Sequence, residues 1–170
     1  NFTPNDIINN IQFLKPVSDF RSKYDYDNLL YIIAGEVIER VSGQSWTDFV
    51  TKRLLEPIGM TNTAANWHLV KDKKNAIGPH VPIDGKLQVI DRYTNTIFDA
   101  AAGLYSNVDD VAKWLQFNLN KGKVNGKQII SEKQMKEMIS PVTLQKVGTT
   151  PPYNSLFKAY GLGWQLQDYN

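Results

Sequence analysis

The spacing of apolar residues predicts an amphipathic helix near the start of the chain and a more apolar helix after it. Thr3 and Pro4 form a cap and first-turn pair, and apolar residues then recur at helical spacing until Pro16. The segment Asn28 to Val41 is apolar nearly all round in its first two turns and ends at Gly43. We expect this second helix to be the central and most buried element of the fold.

Capping residues predict further helices along the chain. Ser45 to Asp48 resembles a capping box with Asp in place of Glu, and the helix that it starts is expected to end before Pro57. Ser106 is predicted to cap a longer helix that Gly122 closes. A short helix is expected from Ser131 to about Ile139.

Turn dipeptides and alternating apolar residues mark the β-structure. Asp84-Gly85 lies between β-compatible runs at 80–83 and 87–90, which predicts a hairpin, and Asn125-Gly126 predicts a second tight turn. The alternation within 160–166 predicts a strand with no partner nearby in sequence.

The length and the apolar content are sufficient for one folded domain. The chain has 170 residues, of which 42% are hydrophobic, and a domain of this size buries about two-thirds of its unfolded surface. No repeat or linker divides the sequence, whereas helical periodicity fades at about 62–100. We therefore predict a single helix-rich domain over 1–170 with a long irregular insertion at about 62–100.

Charge and residue usage exclude several classes of function. The 19 basic and 17 acidic residues are spread along the chain, so no basic stripe favours nucleic acid. The densest charge run, Lys71 to Lys74, is interrupted by Asp72 and is typical of a solvated loop. No cysteine is available for thiol catalysis or metal binding, and no apolar run reaches the ~18 residues of a membrane span.

The remaining ionisable residues give no pattern of a metal or acid–base site. His68 and His80 stand alone, without a carboxylate at ligand spacing, and are interpreted as packed or exposed histidines. Glu36 and Glu39 lie three residues apart beside Arg40, which is more typical of a solvated rim than of a catalytic pair.

The segment Tyr26-Asp27-Asn28 differs because it stands immediately before the most apolar predicted helix. A rigid helix start holds two polar side chains in fixed positions. Taken by themselves, Tyr26 would be a helix-flanking aromatic residue and Asn28 a helix cap. Residues further along the chain change this interpretation.

Several more segments stand in a fixed order after Tyr26-x-Asn28. They are Ala34 to Gly43, Glu-Pro-Ile-Gly-Met-Thr at 56–61, Ala-Ala-Gly-Leu-Tyr-Ser at 101–106 and Tyr-Gly-Leu-Gly-Trp at 160–164. In this order they resemble the serine β-lactamase and penicillin-binding-protein family. The resemblance is to its class C-like branch, in which the second motif is Tyr-x-Asn. The resemblance covers about Phe20 to Trp164, with 62–99 poorly matched.

The resemblance implies an α+β, helix-rich fold. In this family, called transpeptidase-like or DD-peptidase-like, an antiparallel sheet is flanked by helices and a helix-rich lobe lies across the cleft. The chain is expected to be that helical lobe, a partial domain with most of the antiparallel sheet missing.

The resemblance also implies a serine hydrolase that acts through an acyl-enzyme on an amide or ester. Tyr26 would be a catalytic residue, as general base or proton relay, and Asn28 a substrate-binding residue. No metal or organic cofactor is implied. The implied partners are small-molecule or peptide substrates, namely D-amino-acid peptides of the cell wall, β-lactams or esters, and the implied location is the periplasm or the cell surface.

Two motifs of the family are not found at their expected places, because the windows that would hold them lie outside this sequence, so the chain by itself is expected to be inactive. The nucleophilic Ser-x-x-Lys belongs upstream of Tyr26, and the His/Lys-x-Gly strand belongs beyond Trp164. Ser155 to Lys158 fits the letters of the first motif, but it follows Pro151-Pro152 and runs into Gly161, which disfavours a helix. A non-catalytic recognition module and an unrelated helical interaction domain remain the alternatives.

Overall fold

The computed structural model describes residues 2–148 and 155–168. Contacts divide the chain into two compact units. The first unit contains Asn1–Ile7 and Asn28–Lys113, and the second contains Ile8–Asp27 and Trp114–Asn170. The single partial domain over 1–170 stays a prediction.

Short helices dominate the first unit. It includes the start of α1 and of α6, both of which continue into the second unit, together with α2 to α5. Their bounds are Pro4–Ile11 for α1, Asn28–Ser42 for α2, Trp46–Val50 for α3, Glu56–Ile58 for α4, Asp99–Ala102 for α5 and Val108–Leu119 for α6. A π-helical turn at Thr51–Leu55 joins α3 to α4.

The predicted cap of α1 is confirmed. The Asp6 amide donates to Thr3 Oγ1 at 3.2 Å, and the Thr3 amide donates to the Asp6 carboxylate at 2.7 Å. These reciprocal bonds satisfy amide groups that the helix itself leaves without a partner. The helix ends at Ile11, five residues before the predicted stop at Pro16.

The bounds of α2 are confirmed, but the prediction that it is the most buried element is wrong. Within the helix only Ile32 and Gly35 are buried, whereas Val37 and Val41 are 54% and 83% exposed. In the first unit α2 packs against α3 and α5, where Gly35 lies against Ala100. Apolar composition predicted that the helix could be buried on all sides, but burial requires a partner on each side.

The cap of α3 is confirmed and its predicted end is wrong. Ser45 Oγ accepts a hydrogen bond from the Asp48 amide at 3.1 Å. The helical path then continues through Pro57 to Ile58 and ends at Gly59, whose φ is +83°. Pro57 is tolerated because it lies in the first turn of α4, where a missing N–H costs little.

The segment predicted to be irregular contains short turns and one hairpin. The antiparallel strands β1 (His80–Ile83) and β2 (Lys86–Val89) are joined by Asp84 and Gly85, whose φ angles are +49° and +73°. Single 3₁₀ turns lie at Trp67–Leu69, Lys73–Asn75 and Thr96–Phe98. The predicted hairpin is therefore confirmed, and the Lys71 to Lys74 run is exposed as expected.

Among its described residues, the second unit adds one helix and five short strands. They are β3 (Lys123–Val124), β4 (Lys127–Gln128), α7 (Glu132–Met138), β5 (Thr143–Leu144), β6 (Lys158–Tyr160) and β7 (Gln165–Gln167). The predicted turn at Asn125-Gly126 joins β3 to β4. Ser131 Oγ caps α7 by accepting from the Gln134 amide at 3.2 Å.

The predicted cap of α6 is wrong by one residue. Asn107 Oδ1, and not the Ser106 hydroxyl, accepts from the backbone amide of the third helical residue, Asp110, at 2.9 Å. Ser106 Oγ instead lies 2.8 Å from Thr63 Oγ1. Serine and asparagine are both good caps, so the local pattern did not distinguish two neighbours.

The predicted unpaired strand at 160–166 is wrong. Residues Gly161 to Trp164 form the turn between β6 and β7, which pair antiparallel, and β5 pairs on the other side of β6. The Gly161 amide donates to the Trp164 carbonyl at 2.8 Å, and Gly163 has a φ of +79°. Glycine permits this sharp reversal, which apolar alternation does not reveal.

The Ser155 to Lys158 match is confirmed as chance, because Ser155 is outside any helix and Lys158 starts β6. Pro151-Pro152 lie outside the described residues. The helices and small antiparallel sheets confirm the α+β, helix-rich class. No helix in the described part of the chain is long and apolar enough to cross a membrane.

We predict that Gly103→Ala destabilises the protein by about 1 to 3 kcal/mol. A Cβ at Gly103 would lie 2.6 Å from Asp99 Cα, 2.7 Å from the Asp99 carbonyl oxygen and 2.8 Å from that of Ala65. All three are backbone atoms, so no side chain can rotate away. Urea unfolding measures the effect, with Gly148→Ala as control because nothing lies within 4 Å of that position. Equal unfolding midpoints for the two variants would contradict the predicted close packing.

Candidate active site

Asn28, the predicted substrate-binding residue, is the first residue of α2 and lines a pocket of about 330 Å³ in the first unit. The pocket wall is aromatic on several sides and carries one carboxylate. The other lining residues are Trp67, Tyr93, Thr94, Asn95, Phe98, Asp99, Ala102, Gly103 and Tyr105. A concave site with many aromatic side chains and few polar groups is typical of small-molecule binding.

The aromatic rings of this pocket hold one another in two tilted pairs. The ring centroids of Trp67 and Tyr105 are 5.4 Å apart, and those of Tyr93 and Phe98 are 5.9 Å apart. The Arg92 guanidinium lies 4.2 Å from the Trp67 centroid and 5.4 Å from the Tyr105 centroid, and it also donates to the Ile77 carbonyl. Arg92 therefore supports both rings of the first pair by cation–π contact.

Asp99 is a half-buried carboxylate at the start of α5. Burial raises the pKa of the Asp99 carboxyl, and the hydrogen bond from Asn66 and the charge of His68 offset only part of this increase. Asn66 is itself fixed, because its side-chain oxygen accepts from the Leu69 amide at 3.0 Å. Within 2–148 and 155–168, no cationic side chain forms an ion pair with Asp99.

A backbone bridge brings the two walls of the pocket together. The Ala64 amide donates to the Tyr105 carbonyl, and the Tyr105 amide donates to the Ala64 carbonyl, each at 2.9 Å. The bridge holds the turn that carries Trp67 beside the segment after α5. The Asn95 side chain caps the turn at Thr96–Phe98, because it accepts from the Ile97 amide at 2.9 Å.

A buried carboxylate, Asp110, fixes the chain just before this bridge. Asp110 has no exposed surface and accepts from the Asn62 amide at 2.8 Å, from Thr63 Oγ1 at 2.9 Å and from Lys113 Nζ at 2.8 Å. Burial raises the pKa of the Asp110 carboxyl, but these hydrogen bonds together outweigh it, so the pKa is below its ordinary value. Lys113 Nζ also donates to the Gly59 carbonyl at 2.6 Å.

Tyr26, the predicted catalytic residue, lies in the segment of the second unit that precedes α2. Its side chain is 54% exposed. Within the same unit, Tyr24 packs against Tyr160 of β6 with a centroid distance of 5.0 Å, which anchors the segment two residues before Tyr26. The catalytic role of Tyr26 and the binding role of Asn28 stay predictions.

His68, His80 and Glu39, which the sequence left without a catalytic role, make structural hydrogen bonds. His68 Nε2 lies 2.9 Å from the Thr94 carbonyl, and His80 Nδ1 lies 2.7 Å from the Gly78 carbonyl. Glu39 Oε1 accepts from the Trp46 amide at 2.7 Å and so ties α2 to α3. In the part of the chain that the structure describes, no group of three or more His, Cys, Asp or Glu residues is placed to hold a metal ion.

Sequence reasoning missed most of the pocket. Trp67 and Tyr93 lie where periodicity fades, so no local signal marked them. Phe98 and Asp99 are separated from the segment 101–106 by Ala100 alone, and that position could have indicated a role at the site. Asp110 was missed because an Asp in the first turn of a helix is normally solvent-exposed.

The Beta-lactamase family model matches residues 2–170. Among relatives, Protein flp of Staphylococcus aureus (strain MRSA252) is 29% identical over 99 residues, which are 58% of this chain and 19% of that protein. The chain thus spans about a fifth of the length of this relative.

Solved structures share the fold. The octameric penicillin-binding protein homologue from Pyrococcus abyssi superposes with a TM-score of 0.74 at 27% identity, over 95% of this chain and 34% of that chain. The D-amino acid amidase from Ochrobactrum anthropi SV3, complexed with L-phenylalanine amide, superposes with a TM-score of 0.72 at 22% identity. The match covers 99% of this chain and 46% of that chain. At 22% identity the amidase supports the fold alone.

Proposed function

The chain belongs to the β-lactamase family, and on this premise we propose that the protein carrying it is a serine hydrolase that cleaves an amide or ester through an acyl-enzyme. The observation that carries the proposal is the position of Asn28. This residue of the Tyr-x-Asn motif lines an aromatic pocket at the start of α2. A binding pocket beside a family motif is what an acyl-transfer site requires.

In the proposed reaction, a serine from outside this sequence attacks the substrate carbonyl. Tyr26 accepts the serine proton and returns it to the departing amine or alcohol, so the acyl group is transferred to the serine oxygen. Water then releases the acyl group as a carboxylic acid. Asn28 donates and accepts hydrogen bonds with the substrate amide, which orients the carbonyl for attack.

The proposed substrates are D-amino-acid peptides or amides, β-lactams and esters. The solved D-amino acid amidase is similar in fold, and the pocket has the size of a small-molecule site. We place the protein in the periplasm or at the cell surface, because cell-wall peptides are found there. With a net charge of +2, it has no nucleic acid among its proposed partners.

We predict that the full-length protein hydrolyses a nitrophenyl ester and that the chain 1–170 alone does not. The chain alone should also not react with a chromogenic cephalosporin, and fluorescent penicillin should not label it. The reason is that neither the Ser-x-x-Lys motif upstream of Tyr26 nor the His/Lys-x-Gly motif beyond Trp164 stands at its family position within the sequence 1–170. Absorbance assays and gel fluorescence measure these outcomes.

Circular dichroism controls for folding of the chain 1–170, since an unfolded chain would be inactive for a trivial reason. Stoichiometric labelling of a serine within 1–170 would contradict the predicted inactivity. A full-length protein that binds fluorescent penicillin reversibly but turns over none of the substrates would instead be a recognition module.

A further inference from the structure

We propose that the cleft lined by Lys71 and Arg92 is an oxyanion site, which takes a carboxylate or phosphate group of a small molecule. The cleft lies within the first unit, has a volume of about 760 Å³ and shares Tyr105 with the pocket beside Asn28. The inference goes beyond the proposed hydrolysis and does not depend on it.

The fold brings the two cations of the cleft together from separate segments. Lys71 follows the 3₁₀ turn at Trp67–Leu69, whereas Arg92 follows β2. The hydroxyl of Ser106 and the side-chain amide of Asn75 line the same cleft and can donate hydrogen bonds to an oxyanion. The charged run at Lys71 to Lys74 is therefore more than a solvated loop, because its first residue meets a distant arginine.

Arg92 is a half-buried cation whose contacts in the structure are with neutral groups. Its guanidinium lies 4.2 Å from the Trp67 centroid and 5.4 Å from the Tyr105 centroid, and it donates to the Ile77 carbonyl. Among residues 2–148 and 155–168, no carboxylate forms an ion pair with it, and the adjacent Asp91 is exposed. A cation partly removed from water is stabilised by an incoming anion.

Lys71 is fixed at the wall of the cleft by a neutral acceptor. Its Nζ donates to the Thr61 carbonyl at 2.9 Å, and no ion pair involves it in the described part of the chain. An ammonium group has three donors, so Lys71 can hold Thr61 and still donate to a ligand.

The carboxylates around the cleft have other partners. Asp72 also lines the cleft, and its Oδ1 accepts from the backbone amides of Lys74 and Asn75 at 3.1 and 3.3 Å. Asp110 holds two residues of the cleft wall from behind, and Lys113 Nζ lies 2.8 Å from it. Two cations and one carboxylate in the lining leave a net positive charge, which favours an anionic ligand.

The size of the cleft and the shape of the arginine define the ligand further. A volume of about 760 Å³ is within the range of small-molecule sites. The planar guanidinium matches two oxygens of a carboxylate or phosphate, with which it forms paired hydrogen bonds. Because Tyr105 lines both cavities, the oxyanion belongs either to the substrate bound beside Asn28 or to a separate molecule.

Calorimetry with the full-length protein tests the site without turnover. The probes are glutarate, orthophosphate and glutaramide, which is the neutral analogue of glutarate. We expect glutarate and orthophosphate to bind about 10-fold or more tightly than glutaramide, because charged hydrogen bonds are lost with the neutral ligand.

Variants of the charged run assign the binding to residues. Lys71→Gln should weaken the binding of glutarate and orthophosphate about 10-fold or more, and Lys71→Arg should stay within about three-fold of wild type. Lys74→Gln is the matched control, because it removes the same charge from the same exposed run but outside the cleft lining. It should change the dissociation constants by less than about two-fold.

Arg92→Gln should also weaken the binding of both anions about 10-fold or more. Arg92 supports two aromatic rings, so the melting temperature of this variant shows whether it is folded. If it does not fold, Lys71→Gln still decides the proposal, because Lys71 is exposed and anchors a single carbonyl.

Two esters of equal acyl length distinguish the source of the oxyanion. Mono-nitrophenyl glutarate carries a free carboxylate, whereas nitrophenyl valerate carries none. If the oxyanion is part of the substrate, Lys71→Gln should lower kcat/KM about 10-fold for the first ester and leave the second within about two-fold. If it is a separate molecule, both esters are unaffected while glutarate still binds through Lys71.

The remaining outcomes separate this proposal from the hydrolase proposal. If neither ester is turned over but glutarate binds through Lys71, the hydrolase proposal fails and the oxyanion site stands. The site is overturned if glutarate and orthophosphate do not bind, or if glutaramide binds as tightly as glutarate. It is also overturned if Lys74→Gln weakens binding as much as Lys71→Gln, since that result reflects the total charge of the surface and not the cleft.

Discussion

Replacing Tyr26 by Phe in the full-length protein is expected to lower the acylation rate ~100- to 10,000-fold, or roughly 3 to 5 kcal/mol of barrier. The substitution removes only the phenolic oxygen, so the ring and its packing are kept. Because the side chain is 54% exposed, the loss of folding stability should be about 1 kcal/mol or less.

The measurement compares wild type and Tyr26→Phe for the acylation rate with an activated ester and for the melting temperature. Tyr24→Phe is the matched control, since it removes a phenolic oxygen from the same segment while its ring still packs on Tyr160. An unchanged rate with a large fall in melting temperature would make Tyr26 a structural aromatic residue, and its catalytic assignment would be withdrawn.

Replacing Asp110 by Ala should destabilise the protein by about 2 to 4 kcal/mol. The substitution removes the fully buried carboxylate that accepts from the Asn62 amide and from the Thr63 hydroxyl, although Thr63 Oγ1 keeps Ser106 Oγ as a partner at 2.8 Å. It also removes the ion pair with Lys113, whose side chain is 39% exposed and keeps the Gly59 carbonyl as a partner. The loss therefore comes mainly from the Asn62 amide, which loses this acceptor, and from the packing of a fully buried side chain.

Urea unfolding of the two single variants Asp110→Ala and Asp109→Ala measures this difference. Asp109 is the exposed neighbour on the same helix, so its substitution should cost less than about 1 kcal/mol. Similar losses for both variants would contradict the structural role of Asp110.

The stabilisation by Asp110 should depend on pH in a defined direction. Its pKa in the folded protein is below the ordinary value of 3.8, so the ionised form is stabilised by folding. The contribution is complete above the unfolded pKa and is lost as the pH falls through the folded pKa. The difference between wild type and Asp110→Ala should therefore persist at neutral pH and shrink below about pH 4.

The amino-acid sequence by itself determined the caps and turns whose interacting groups lie within three or four residues of each other. The caps at Thr3, Ser45 and Ser131 and the turn at Asp84-Gly85 were predicted correctly. In each of these features the interacting groups are near neighbours in the chain, so residue type and spacing are sufficient. The ordered motifs that begin at Tyr26 and Asn28 also indicated the family, which the match over residues 2–170 establishes.

Only the tertiary structure decided which residues meet across long stretches of chain. The bridge between Ala64 and Tyr105 closes the aromatic pocket, and it joins residues that no periodic pattern relates. The burial of Asp110 and the exposure of Val41 on α2 likewise depend on which segment packs against each side chain. Such contacts are selected by complementary shape and by the balance of burial against chain entropy over the whole fold, and residue spacing does not encode either.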